Sequence, residues 1–147
     1  MKKQLIVVAS LIGIGIAIAT PLAQAAEPLE LQKVMKELGK NMQVVTDGIS
    51  REDWTLVESA SHLIAAHPQP SLTEKSRIVG FMGANMGKFK AFDEQTHEAS
   101  HDMAAAAQEK DGTKVILAFQ KLQSSCLSCH QAFRPAFIEH FYGKTAN

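Results

Sequence analysis

The chain has 147 residues, 46% of them hydrophobic, and its 15 basic residues balance its 15 acidic ones. That length suits one domain, the even charge excludes a broad basic field for nucleic acid, and the apolar fraction excludes a disordered chain. With two cysteines in all, a disulfide-stapled miniprotein is excluded too.

The N-terminus reads as an export signal over residues 1–25. Met1-Lys2-Lys3 is basic, Leu5 to Thr20 is sixteen residues without a charge, and Ala23-Gln24-Ala25 follows Pro21. This is the order of a secretory signal peptide with a small-residue cleavage site. A retained anchor is the rival, but sixteen residues fall short of the ~20 that span a bilayer. Cleavage after Ala25 removes Lys2 and Lys3 and no acid, so the mature chain carries 13 basic against 15 acidic residues. The expected location is a bacterial periplasm, with no membrane attachment after cleavage. The mature domain is expected to span 26–147.

From Ala26 onward the apolar residues recur three and four apart, and no window sustains an alternation of period two. The first helix is expected from about Leu29 to Val45, through Leu31, Val34, Met35, Leu38 and Met42, with Asp47-Gly48 as its stop. A second begins at the capping pattern Ser50-Arg51-Glu52-Asp53, carries Trp54, Val57, Leu63 and Ile64, and ends before His67-Pro68-Gln69-Pro70. Ser71-Leu72-Thr73-Glu74 is another capping box, but Gly80, Gly83 and Gly87 make 74–84 read as an irregular lead-in. The third helix is firm from Met86 and ends near Lys110. Asp111-Gly112 opens the fourth, through Val115, Phe119, Leu122, Cys126, Cys129 and Phe133. Pro135 predicts a stop or a kink, with Ala136 to Tyr142 as a short tail. Four amphipathic helices joined by short turns predict an all-α fold, an antiparallel up-down-up-down four-helix bundle.

One motif carries chemistry. Cys126-Leu127-Ser128-Cys129-His130 is C-x-x-C-H, the attachment pattern of a c-type haem. At about 100° per residue the two thiols and the imidazole fall within one ~100° arc of a helix. Both thiols then reach one porphyrin edge, and the imidazole reaches the iron. One haem c, attached through Cys126 and Cys129 and ligated by His130, is the expectation. A thioredoxin-type centre wants a βαβ context, zinc wants two further ligands, and a disulfide between residues three apart pins nothing.

Other polar clusters read more plainly. Glu94-x-x-His97 and Glu98-x-x-His101 have di-iron spacing, but both lie on one helix, which favours a solvated face. His62, His67 and His140 read as surface or helix-end residues. Lys33, Lys36 and Lys40 form a basic stripe, either a wet face or a docking patch for an acidic redox partner. Phe81, Phe89, Phe92, Phe119 and Phe133 read as core.

The segment Cys126-x-x-Cys129-His130-x-x-Phe133-Arg134, late in a small exported helical chain, resembles the cytochrome c-prime family, the class II c-type cytochromes. Val34-Met35-Lys36-Glu37-Leu38-Gly39-Lys40-Asn41-Met42 is similar to the first helix of its low-spin, Met/His-ligated branch. The resemblance implies a left-handed bundle, haem near one end, often a homodimer through the first two helices, and Arg134 beside a haem propionate. An ordinary helix-end arginine is the alternative for Arg134.

The sixth iron position divides this family. Of the methionines, Met35 stands on the half of the first helix expected opposite His130. Met42 is ~10 Å further along, Met82 and Met86 compete from the start of the third helix, and Met103 is remote. The resemblance also selects Met35. The expected function is a periplasmic one-electron carrier, not an enzyme, serving redox partner proteins and no nucleic acid. The alternative is a five-coordinate protein binding nitric oxide or carbon monoxide. A haem subunit docked to a larger oxidoreductase is a third reading.

Overall fold

The computed structural model describes residues 29–143; residues 1–25, expected to be an export signal, lie outside them. Five α-helices run in chain order: α1 Glu30–Ser50, α2 Trp54–Ala65, α3 Leu72–Met82, α4 Met86–Gln108 and α5 Gly112–Tyr142, with a 3-10 turn Gly83–Asn85 between α3 and α4. The described residues hold no strand. Four long helices form the bundle: α1 packs on α2, α2 on α4, and α4 on α5. Its core joins Val45, Val57, Ile64, Met103, Val115 and Leu122 with alanines 60, 99, 106, 107 and 118. Small side chains along α4 let its neighbours approach closely. No described helix is long and apolar enough to cross a membrane.

The first helix does not stop at Asp47-Gly48 but continues to Ser50. Gly48 is buried where α1 meets α2. A Cβ at this position would lie 2.8 Å from Val57 Cγ2 and 3.3 Å from both Asp53 O and Val57 N. The glycine therefore permits a close helix approach rather than a turn. α2 accordingly starts later than expected, at Trp54, where Asp53 caps it by accepting from the Leu56 N–H at 3.1 Å. Gly48→Ala decides between two opposed effects. Helix propensity favours alanine by ~1 kcal/mol, while overpacking against a rigid β-branched neighbour and backbone costs ~1–3 kcal/mol. The expected outcome is net destabilisation, read as a lower midpoint in chemical unfolding of the holoprotein.

Residues 72–82 form a regular helix, not an irregular lead-in. Ser71 caps α3 by accepting from Glu74 N–H, and Gly83, at φ +48, ends it in a backbone region that suits glycine. The start of α3 is also tied to the start of α1. The Glu74 carboxylate accepts from the Glu30 and Leu31 N–H groups, both at 2.7 Å, and Glu30 Oε2 accepts from Ser71 N–H at 2.7 Å. Each helix supplies an acceptor to the orphan donors of the other.

Of the stop or kink expected at Pro135, the stop is absent, because α5 runs through it to Tyr142. An interior proline costs ~3 kcal/mol. Against this, Phe137 and Phe141 are buried with Leu29, Ile78 and Met82 in a second cluster. Each such aromatic contributes ~1.5–3 kcal/mol. The Tyr142 hydroxyl also accepts from Leu29 N–H at 3.0 Å, joining both ends of the described chain. Thus 136–142 is a structural clamp, whereas the aromatic residues expected in the core (Phe81, Phe89, Phe92, Phe119 and Phe133) are only half-buried.

Candidate cofactor cleft

A cleft of about 480 Å³ opens between α1, the first half of α4 and the middle of α5, a size within the roughly 300–1,000 Å³ of small-molecule and cofactor sites. α1 lines it with Met35, Leu38, Gly39, Met42, Gln43 and Thr46. α4 supplies Phe89, Phe92, Asp93 and Thr96, and α5 supplies Gln123, Cys126, Leu127, Cys129 and His130; His67 enters from the loop after α2. The wall between α4 and α5 is pinned by Thr96 Oγ1 and Ser125 Oγ, 2.6 Å apart, and by Ser125 Oγ donating to Phe92 O at 3.2 Å. Phe92 is held edge-on by Phe133, and so is Phe89.

Helical spacing brings Cys126, Cys129 and His130 to one wall of this cleft. Both thiols are half-buried. Burial raises the Cys126 pKa; burial, then the charges of Cys126 and Asp93, push Cys129 up to about 11. Redox-active cysteine pairs show the opposite, a lowered pKa. The His130 pKa is lowered, first by desolvation against the cleft and second by the Arg134 charge. Neutral imidazole, the form that ligates metal, is therefore favoured at neutral pH.

Met35 and Met42 are the two methionines among the lining residues. They differ in level and in packing. Leu31 packs with the cluster of Phe137 and Phe141, joined by Phe133, whereas Leu38 and Met42 pack on the core of Leu122, joined by Cys126. Met35 stands between these levels on α1, as His130 stands between Cys126 and Phe133 on α5. Met35 belongs to neither cluster and is 39% exposed. Met82 is buried in the aromatic cluster with Met86 beside it, and Met103 is fully buried in the main core. Arg134 is exposed, does not line the cleft, and makes no ion pair among the described residues.

Two histidines meet across the boundary between α2 and α4. The His67 side chain is buried just past the end of α2 and His97 is partly exposed on α4; their rings stack at 4.9 Å, and both address Asp93. No sequence signal joined His67 to α4, since the pairing is made by the loop after α2 folding over it. Glu94 pairs with Lys90 at 3.4 Å, and Glu94, Glu98 and His101 are exposed, as expected of a solvated face. His62 approaches Glu58 at 3.9 Å, and His140 stacks on Phe81 at 4.4 Å. In the basic stripe Lys40 pairs with Glu37 at 2.9 Å.

The model of the Cytochrome C' family matches residues 29–134. The chain belongs to the cytochrome c' family. The match covers the four bundle helices as far as Arg134, so the aromatic end of α5 falls outside it. Against curated protein sequences the chain has no match. Membership implies covalently bound haem c, and Cys126 and Cys129 have the spacing that its attachment uses. The cleft fits such a cofactor: two un-ionised thiols and a neutral-favouring imidazole share one wall, aromatic rings form the adjoining wall, and a thioether stands on the helix opposite.

Proposed function

We propose that this cytochrome c' family member is an exported, periplasmic one-electron carrier whose iron is ligated by His130 and Met35. On this reading residues 1–25 are removed and the mature domain runs over 26–147. Bound haem c supplies one iron that cycles between ferric and ferrous states. The chain does the rest. The Cys126 and Cys129 thiols add S–H across the two vinyl groups, fixing the cofactor to α5. His130 offers a neutral nitrogen donor, kept so by desolvation and by Arg134. Met35 offers a soft thioether, which raises the potential relative to harder donors. Leu38, Phe89 and Phe92 keep water from the cleft, which disfavours the more highly charged ferric state. Arg134, near His130 and exposed, is assigned to a haem propionate as a charge-assisted pair.

The observation that carries the reading is the position of Met35. It lines the cleft between the levels of the two hydrophobic clusters, is packed in neither, and keeps a soft donor available across from His130. A methionine serving only to fill core would be buried among core residues, as Met103 is. The test is NMR of reduced holoprotein labelled with carbon-13 at the methionine methyls. Ligation by Met35 places one methyl signal far upfield, within the ring current of the porphyrin, and Met35→Leu removes that signal alone. If all methyl signals stay near their ordinary positions, the iron is not methionine-ligated.

A further inference from the structure

Asp93 on α4 receives two imidazoles from different parts of the chain. His67 Nε2 lies 3.3 Å from Asp93 Oδ1, and His97 Nε2 lies 3.6 Å from Asp93 Oδ2. One ligand-type atom from each of the three residues lies within 4.8 Å of the others. We propose that His67, Asp93 and His97 form a binding site for one divalent transition-metal ion of the zinc type, on the wall of the cofactor cleft and separate from the iron ligands.

Three observations carry this. First, both N···O separations are long for a hydrogen bond, which prefers about 2.7–3.2 Å. The His67 separation matches the edge of a tetrahedron around zinc, about 3.3 Å for bonds of about 2.0–2.1 Å; His97 Nε2 faces the other carboxylate oxygen and turns slightly to share the same ion. Second, His67 Nδ1 lies 3.2 Å from Pro68 O and can meet that oxygen only as an N–H donor. In the neutral ring this leaves a bare lone pair on Nε2, aimed at a carboxylate oxygen. Two acceptors face each other stably only with a proton or a cation between them. A backbone carbonyl holding the far nitrogen is also the usual support of a ligating histidine. Third, the two rings stack with centroids 4.9 Å apart and an interplanar angle of 27°. The stacking turns both Nε2 atoms toward the one carboxylate, where a single dication can meet all three groups.

The site is accessible. The His67 side chain is 8% exposed, but Asp93 and His97 are 41% and 31% exposed, leaving room for water as a fourth ligand. Histidine nitrogen with one carboxylate oxygen is a donor set that zinc uses and that calcium and magnesium do not. The proposal does not depend on which residue fills the sixth iron position.

The test is calorimetric titration of chelator-treated, oxidised holoprotein with zinc chloride at pH 7. The expected result is one zinc per chain with Kd at or below about 1 µM. His97→Ala and Asp93→Asn should each weaken binding at least tenfold, the usual scale of losing one contact in a metal site. His101→Ala, one turn along α4 and outside the cluster, should bind as wild type does. His97 does not line the cofactor cleft, so His97→Ala should keep its haem spectrum, which reports that it is folded. Absence of saturable binding with Kd at or below about 1 µM, or wild-type affinity in either His97→Ala or Asp93→Asn, would overturn the site.

Discussion

If Met35 ligates the iron, Met35→Ala should turn a protein that resists carbon monoxide into one that binds it readily, with little loss of helix packing. The ligand chemistry predicts the first part. On the Met35 assignment an external ligand must displace the thioether in the reduced protein, so its apparent affinity is scaled by the fraction of molecules with that position open. If the open form is ~1% of the population, removing the thioether raises affinity ~100-fold. The low-spin optical spectrum should be lost at the same time, in both oxidation states. Packing predicts the second part. Met35 is 39% exposed and belongs to neither hydrophobic cluster, so truncation should cost ~0.5 kcal/mol or less in packing between the helices, with the loss of the iron bond added to it. Met42→Ala should show the reverse pattern, because Met42 packs on the main core. It should lower the unfolding midpoint and leave the spectrum low-spin. An unchanged spectrum in Met35→Ala means that the sixth ligand lies elsewhere.

His130→Ala should reduce recoverable holoprotein at least tenfold. The neighbouring thiols can still add to vinyl groups, but the cofactor then lacks the donor that fixes its iron on the α5 side, and the cleft is open at Leu127, which is 57% exposed. In the wild type, denatured protein should keep its colour through acid–acetone extraction, since two thioethers survive unfolding. Cys126→Ala should leave a single thioether or fail to mature. Pigment passing into the solvent from wild-type protein would refute covalent attachment. Holoprotein recovered from His130→Ala with an unchanged spectrum would refute His130 as the ligand.

The parts of this molecule that follow local rules were legible in its sequence. The periodicity of Leu31 to Met42 and of Val115 to Phe133 reports helices because one face of each is apolar. C-x-x-C-H reports its cofactor because three donors on one helical arc are a local geometry. The parts decided by distant neighbours were not. Pro135 reads as a break, and only the burial of Phe137 and Phe141 against Ile78 and Met82 carries α5 through it. Gly80 and Gly83 read as irregularity, yet α3 forms because Ser71 caps its first turn, while its Glu74 carboxylate binds the first amides of α1. Gly48 reads as a turn, and its actual role depends on Val57 across the helix interface. The His67–Asp93–His97 cluster has no sequence spacing to announce it, because a loop and a helix far apart in the chain make it together.

The central claim is that a Met35–His130 pair leaves no open position on the iron, making the protein an electron carrier rather than a gas-binding one. The most direct measurement is the optical spectrum of dithionite-reduced wild-type holoprotein before and after saturation with carbon monoxide. The account predicts a low-spin ferrous spectrum that carbon monoxide leaves essentially unchanged on mixing. Immediate conversion to the carbon monoxide complex would contradict it and establish the five-coordinate, gas-binding alternative.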